Sequence, residues 1–299
     1  MAFNSNIELR ENEILSKHST FKIGGPARYA VFPKGRDEFV EILSAVEGCK
    51  YKYMVVGNGS NLLFDDEGFD GIIIFTKHMC ATEYVHKNNS TYITVECGRS
   101  LTELASETGK KHSLSGLEFA YGIPGTVGGA VYMNAGAYGG QMSDVVVDTE
   151  YFDTKLCEIK RLTASEHDFD YRRSIFADHP EYIILSTTIE MKDGNAEEIF
   201  AAMTKNMTSR REKQPLEYPN AGSTFKRPEG HFAGKLIEDS GLKGYTVGGA
   251  QISSKHAGFT VNIGGATSSD VLALIEHTKK TVKNDFGVDL ESEIIYVPK

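Results

Sequence analysis

Tyr53-Met-Val-Val-Gly-Asn-Gly-Ser-Asn-Leu-Leu-Phe64 is the stretch on which the fold turns. The apolar, β-branched run before the glycines predicts a strand over 51–56. Gly57 and Gly59 then begin a G-x-G, but Leu62 stands where a third glycine would be. Residues 65–71 (Asp-Asp-Glu-Gly-Phe-Asp-Gly) read as a turn, and a second strand is predicted over 71–75, so no helix follows the glycines. A Rossmann fingerprint needs strand, glycines and helix in that order, because the helix N-terminus holds the pyrophosphate. An anion bound at this loop would instead be held by the loop's own backbone N–H groups, an anion nest, with Ser60 and Asn61 as further side-chain donors. The competing reading is a tight β-turn without a ligand.

A second glycine-rich stretch, Gly122-Ile-Pro-Gly-Thr-Val-Gly-Gly-Ala-Val-Tyr-Met-Asn-Ala-Gly-Ala-Tyr-Gly-Gly140, holds seven glycines in 19 residues. Each interior glycine costs a helix roughly 0.8–1 kcal/mol relative to alanine. Tight turns are therefore expected here, with backbone approaching something flat or charged; close helix–sheet packing is the alternative. One large cofactor crossing both stretches accounts for two glycine clusters at once. Its candidate contacts are Gly57, Asn58, Gly59, Ser60 and Asn61 in the first, and Gly122, Pro124, Gly125, Thr126, Gly128 and Gly129 in the second.

The whole chain sets the bounds. Its 299 residues predict two or three domains with ample core. Lys and Arg number 32 against 41 Asp and Glu, a net charge of −9, which argues against general nucleic-acid binding but leaves room for a local basic patch for one anionic metabolite. Cys49, Cys80, Cys97 and Cys157 form no C-x-x-C pair and no zinc spacing, so they are expected to be reduced thiols, with no metal bound. The N-terminus lacks a basic segment followed by an apolar one, and no apolar run approaches the roughly 18 residues of a membrane span. The protein is expected to be cytoplasmic, without a membrane span.

Along the chain, apolar positions at 39, 40, 42, 43 and 46 predict a helix over 36–47, and Ser100-Leu-Thr-Glu103 opens another to about 111. Strands are expected at 28–32, 91–97 and 182–191, with a hairpin over 144–163 turning near 153–155. Past a turn at 192–195, a helix is predicted over 196–212, a loop over 214–230, a short helix over 232–240 and strands at 245–252 and 258–263. Val271, Leu274, Ile275, Thr278 and Val282 share one face of a helix over 269–286, and 293–297 closes the chain as a strand. The division near 193 separates an α+β nucleotide-type region from a smaller α+β domain over 194–299.

The two glycine loops together resemble the FAD-binding fold of the vanillyl-alcohol-oxidase (PCMH) type. Thr20-Phe-Lys-Ile-Gly-Gly25, Gly57-Asn-Gly-Ser-Asn61, Gly122-Ile-Pro-Gly-Thr-Val-Gly-Gly129, Tyr171-Arg172, Asn220-Ala-Gly-Ser-Thr-Phe-Lys226 and Leu290-Glu-Ser-Glu293 occur in register along nearly the whole chain. In that combination they resemble the UDP-N-acetylenolpyruvoylglucosamine reductase family, in its branch without an extra substrate-capping tyrosine loop. The resemblance implies FAD, bound noncovalently, and NADPH as co-substrate. It implies reduction of the enolpyruvyl ether of UDP-N-acetylglucosamine enolpyruvate to UDP-N-acetylmuramate, in peptidoglycan precursor synthesis. The FAD region would cover 1–193, as subdomains of about 1–70 and 71–193, and the substrate domain 194–299.

The family's catalytic residues fall on Arg172, Ser223 and Glu293. Hydride addition at C3 of the enolpyruvyl group leaves negative charge at C2 and over the carboxylate. Arg172 is a planar, permanent cation suited to that carboxylate. Ser223 is small enough to bring a proton close to C2, and Glu293 would bond the other carboxylate oxygen or relay a proton. Substrate contacts are expected from Tyr171, Lys213, Lys226, Arg227 and His256, the cations facing the diphosphate. The chain departs from the family pattern at Arg173, where Asp is frequent, and at Ile295, where Arg is common. Two other readings compete: an FAD oxidase of the same fold, and a nucleotide-sugar binder without catalysis. The first commonly tethers flavin through His or Cys near the glycine loops, yet no His lies between residues 19 and 77. The second would tolerate loss of Arg172, Ser223 or Glu293, yet all are present.

Overall fold

The computed structural model describes residues 7–49 and 51–299; residues 1–6, where the expected FAD region begins, and Lys50 lie outside the described residues. By compactness the chain forms two units. One comprises residues 1–10, 30–58 and 72–209, the other 11–29, 59–71 and 210–299. This division differs from a boundary at 193. It places two early segments with the C-terminal part, and it falls between Ser209 and Arg210, inside one helix. Strands Glu8–Ile14, Pro26–Phe32, Phe69–Phe75 and Tyr53–Val56 form a four-stranded sheet in that order.

In the first unit, Tyr53–Val56 runs parallel to Phe69–Phe75, pairing Tyr53 with Ile72 and Val56 with Phe75. Ile72, Ile73, Ile74 and Phe75 are all buried, the continuous apolar run of a strand covered on both faces. Helix α1 (Arg36–Glu47) buries Phe39, Ile42, Leu43 and Val46, the face expected from spacing. The larger antiparallel sheet runs in the order Glu158–Thr163, Val146–Asp153, Tyr182–Asp193, Ser90–Glu96, Thr82–Lys87. Thr91, Ile93 and Val95 alternate into its core with period two. Helix α2 (Leu101–His112) opens where Ser100 Oγ accepts the Glu103 N–H at 3.4 Å.

The second glycine stretch combines turns with a short helix, α3 (Val127–Tyr132), so the alternative of close helix packing holds for its middle. Thr126 caps it, its hydroxyl accepting the Gly129 N–H at 3.3 Å. Gly128 donates to Cys97 O at 2.8 Å, so this helix lies directly on backbone. Packing this close outweighs the propensity cost of its glycines. Helix α4 (Ala196–Lys213) follows the last long strand.

In the second unit, Asn220–Ser223, Phe259–Asn262, Ala250–Ile252 and Thr246–Val247 form an antiparallel sheet in that order. The expected 214–230 loop thus carries a strand, and the expected 245–252 strand is a hairpin turning at Gly248-Gly249. Helices α5 (Ala233–Asp239) and α6 (Ser268–Phe286) complete it, and all of the residues expected on the apolar face of α6 are buried. The core joins Phe21, Ile23 and Leu63 to Phe225, Ile237, Leu274 and Ile294. Strand Ile295–Val297 pairs parallel with Leu62–Phe64, Ile295 opposite Leu62.

Candidate active site

In the first unit the glycine loops meet. Asn58 Nδ2 donates to Pro124 O, and a Cβ on Gly57 would lie 2.3 Å from Thr126 Oγ1, so a side chain there would displace the second loop. The backbone N–H groups of Asn58, Gly125 and Thr126 make no hydrogen bond among the described residues. Donors left unpaired at the junction of two turns are what an anionic cofactor requires. As expected, no helix follows the first loop; a short strand, Leu62–Phe64, which sequence reasoning did not place, comes directly after it.

Arg172 also belongs to this unit. Asp170 and Arg173 exchange backbone hydrogen bonds of 3.0 and 3.2 Å, closing a two-residue turn around Tyr171 and Arg172. Arg172 has φ +58°, a conformation costly for a residue with a Cβ. Its guanidinium lies 5.2 Å from the centre of the exposed Tyr171 ring. The turn hangs from the end of α3: buried Asn134 donates to Asp170 O at 3.1 Å, and buried Ser174 donates to Tyr132 O at 2.7 Å. Sequence reasoning missed both anchors, although Asn134 stands in the quoted glycine stretch. Arg173 pairs with Asp178 and, at 3.5 Å, with Asp168, so its charge beside Arg172 is offset locally.

Gly59, Ser60 and Asn61, together with Ser223 and Glu293, belong to the second unit. Gly59 has φ +57°, and a Cβ there would lie 2.4 Å from His18 O, so only glycine fits. The N–H groups of Gly59 and Ser60 make no hydrogen bond among the described residues. Unpaired donors at a glycine turn suit an anionic group here as well.

Ser223 ends its strand opposite Phe259. The next residue, Thr224, is buried and bonded on three sides: its N–H to Gly258 O at 2.8 Å, its hydroxyl to Thr260, and its carbonyl to the Glu293 N–H at 2.9 Å. The bond from the Glu293 N–H to Thr224 O thus brings Glu293, two residues before the strand Ile295–Val297, beside the end of the Ser223 strand, far from it in sequence; the expected 293–297 strand begins only at Ile295. Asn61 Nδ2 donates to Glu293 O at 3.0 Å. Ile295, the departure from the family pattern, gives its N–H to Asn61 O at 3.0 Å and leaves its side chain exposed.

The expected diphosphate contacts sit differently from one another. Lys226 pairs with Glu291 at 2.5 Å, which competes with an incoming phosphate. Arg227 lies 4.0 Å over the exposed Phe232 ring and donates to His231 O. Lys213 is exposed at the end of α4. His256 accepts the Gly258 N–H at Nδ1, so its neutral form carries the proton on Nε2. Burial holds this imidazole below the ordinary histidine pKa.

A model of the FAD binding domain matches residues 27–162, and a model of the UDP-N-acetylenolpyruvoylglucosamine reductase C-terminal domain matches 214–297. The UDP-N-acetylenolpyruvoylglucosamine reductase of Caldicellulosiruptor saccharolyticus is 48% identical to this chain, over 98% of this chain and 93% of its own. The chain belongs to that family. The crystal structure of the UDP-N-acetylenolpyruvylglucosamine reductase from Thermus caldophilus superposes with a TM-score of 0.80 at 34% identity, over 98% of this chain and 99% of its own. Cholesterol oxidase from B. sterolicum shares 13% identity at a TM-score of 0.50, over 64% of this chain and 38% of its own, a likeness of fold alone. The α+β reading with a PCMH-type FAD region therefore stands, as does the expected reductase family. No helix among the described residues is long and apolar enough to cross a membrane, and no cluster of His, Cys, Asp or Glu there suits a metal ion.

Proposed function

We propose that this chain reduces UDP-N-acetylglucosamine enolpyruvate to UDP-N-acetylmuramate in the cytoplasm, with NADPH as reductant and noncovalent FAD, as a step of peptidoglycan precursor synthesis. The observation that carries the reading is the bond from the Glu293 N–H to Thr224 O, which ties the segment of an acid to the residue next to Ser223. Bound FAD would supply the hydride chemistry that links NADPH to C3 of the enolpyruvyl group. Asn58, Gly59, Ser60, Gly125 and Thr126 would hold its phosphates through backbone N–H groups, with Gly57, Gly122, Pro124, Gly128 and Gly129 shaping the loops.

Arg172 binds the substrate carboxylate through two parallel N–H donors and stabilises the charge that develops there, an effect worth about 2.7–4 kcal/mol for one well-placed donor. Ser223 delivers a proton to C2, and Glu293 bonds the second carboxylate oxygen or replenishes the serine proton. Lys213, Arg227 and Lys226 meet the diphosphate, Lys226 after exchanging Glu291 for phosphate, while Tyr171 and His256 border the sugar nucleotide. The domain plan is FAD-binding over 1–193 and substrate-binding over 194–299. The branch is the one without the extra tyrosine loop.

Anaerobic titration tests the whole reading. The purified protein is expected to be yellow, to bleach with NADPH, and to regain its absorbance on adding the enolpyruvyl substrate. Colour that returns with oxygen but not with that substrate would favour the oxidase reading. Protein that never bleaches would favour the binder.

A further inference from the structure

Asn61 stands in the glycine loop as a candidate cofactor contact, yet its side chain is directed to another task. Its Nδ2 donates to Glu293 O at 3.0 Å, while its own carbonyl accepts the Ile295 N–H at 3.0 Å. The two bonds bracket Ile294, which is buried. From there the parallel ladder of Leu62–Phe64 with Ile295–Val297 continues, and Asp65 N–H closes it on Val297 O at 3.0 Å. Tyr296 adds a side-chain hydrogen bond to Asp65, and Lys299 an ion pair to Glu67 at 2.8 Å. Across the Glu293 peptides, the N–H is fixed by Thr224 O and the carbonyl by Asn61. A glutamate with its backbone fixed on both sides can place its carboxylate only through its own side-chain torsions. Loss of the Asn61 bond removes that restraint on the carbonyl side.

We propose that Asn61 is a positioning residue for Glu293, holding the acid's main chain from the glycine loop so that its carboxylate stands ready beside the Ser223 strand. The proposal rests on Glu293 being the acid of the reductase reading. Asparagine suits the task because the amide donates to a carbonyl while matching the size of aspartate. Aspartate, ionised at neutral pH, presents only acceptors to the same carbonyl and repels it.

The test uses the holoenzyme with saturating FAD. Asn61→Asp, Asn61→Ala and Glu293→Gln are compared, alone and as the Asn61→Ala/Glu293→Gln pair. Flavin content, flavin reduction by NADPH, and reoxidation by the enolpyruvyl substrate across pH are measured separately. The single Asn61 variants are expected to hold full flavin and to be reduced at the wild-type rate. Reoxidation should fall by about 10- to 100-fold, the scale of a misplacement of about 1 Å, with the loss in kcat and not in KM. Asn61→Asp should be the slower of the two, and the limb of its pH profile belonging to Glu293 should move. In the double variant, Asn61→Ala should add almost nothing to Glu293→Gln, because the residue acts through that acid.

Additive losses in the pair, equal slowing of both half-reactions, or a defect cured completely by added FAD each overturn the proposal. Should Asn61→Ala fail to fold, the near-isosteric Asn61→Asp carries the same comparison. A Glu293→Gln enzyme that reoxidises at the wild-type rate overturns the reading of Glu293 itself. That outcome is distinct from a slow Glu293→Gln enzyme beside unaffected Asn61 variants, which removes only Asn61.

Discussion

Arg172 sits on a two-residue turn with its own backbone at φ +58°, held at the end of a short helix by the Asn134 side chain and the Tyr132 carbonyl, whereas Glu293 lies just before a strand with its peptides bonded to two neighbouring segments. The first arrangement is local and strained, and it depends on few bonds. The second is tied on both sides to segments that enter strand pairing, as Ser223 is by its place opposite Phe259. A group that binds a charged carboxylate needs its head group placed but gains little from a regular backbone. Groups that move a proton need distances set to a fraction of an ångström, which a hydrogen-bonded ladder supplies. The contrast teaches that the stability cost and the functional cost of a substitution should separate more cleanly at Arg172 than at Glu293.

The largest expected effect lies on the ladder side. Ser223→Ala should leave flavin reduction by NADPH near wild type and slow reoxidation by the enolpyruvyl substrate about 10²–10⁴-fold, the usual cost of a lost proton donor. Stopped-flow flavin absorbance reads both halves on one sample, and equal slowing of the two would remove Ser223 from the donor role.

Next comes the strained turn. Arg172→Gly relieves the left-handed backbone, so the thermal midpoint should hold or rise while substrate turnover drops by about 10²–10³-fold, the loss of one strong charged donor. A glycine variant that melts well below wild type would show that the guanidinium supports the fold more than the chemistry.

The glycine loops sharpen the comparison further. At Gly57 the obstacle to a Cβ is the Thr126 side chain, whereas at Gly59 it is the His18 carbonyl. Gly57→Ala and Gly59→Ala should each cost about 1–3 kcal/mol in denaturant unfolding. Combining Thr126→Ala with Gly57→Ala should cost less than the sum of the singles, because removing the hydroxyl and methyl opens the space. Combining His18→Ala with Gly59→Ala should show no such relief, since the carbonyl stays.

The smallest effect is in pH. His167 is fully buried in the first unit, between Thr163 O at 2.8 Å and Thr149 Oγ1 at 2.8 Å, and His256 is half-buried in the second. Burial is the leading cause that lowers both below the ordinary value of 6.5. The unfolded chain therefore binds protons that the folded one refuses. Both contributions should be intact above pH 6.5 and decline as the pH falls through the folded pKa values. Urea midpoints between pH 7.5 and 5 check this. His167→Gln should flatten the slope more than His256→Gln, since His167 is the deeper of the two.

Much of this molecule follows from periods and punctuation in the chain. The buried face of α6 needs only a spacing, and the lack of a helix after Gly57-Asn-Gly-Ser-Asn61 needs only the turn residues that follow it. Both are set by neighbours within a few residues, so one-dimensional order suffices. The motifs shared with the reductase family marked Arg172, Ser223 and Glu293 in the same way, one short string at a time.

What required the tertiary structure is every relation across long separations. Residues 11–29 and 59–71 join the C-terminal unit because Phe21, Ile23 and Leu63 complete its core, a choice no local composition records. The glycines of α3 make a helix because Gly128 reaches Cys97 O, an energy that propensity does not contain. Asn61 reads as a phosphate donor in its loop, but its partner Glu293 is 232 residues away, and hydrogen bonding is decided by distance in space.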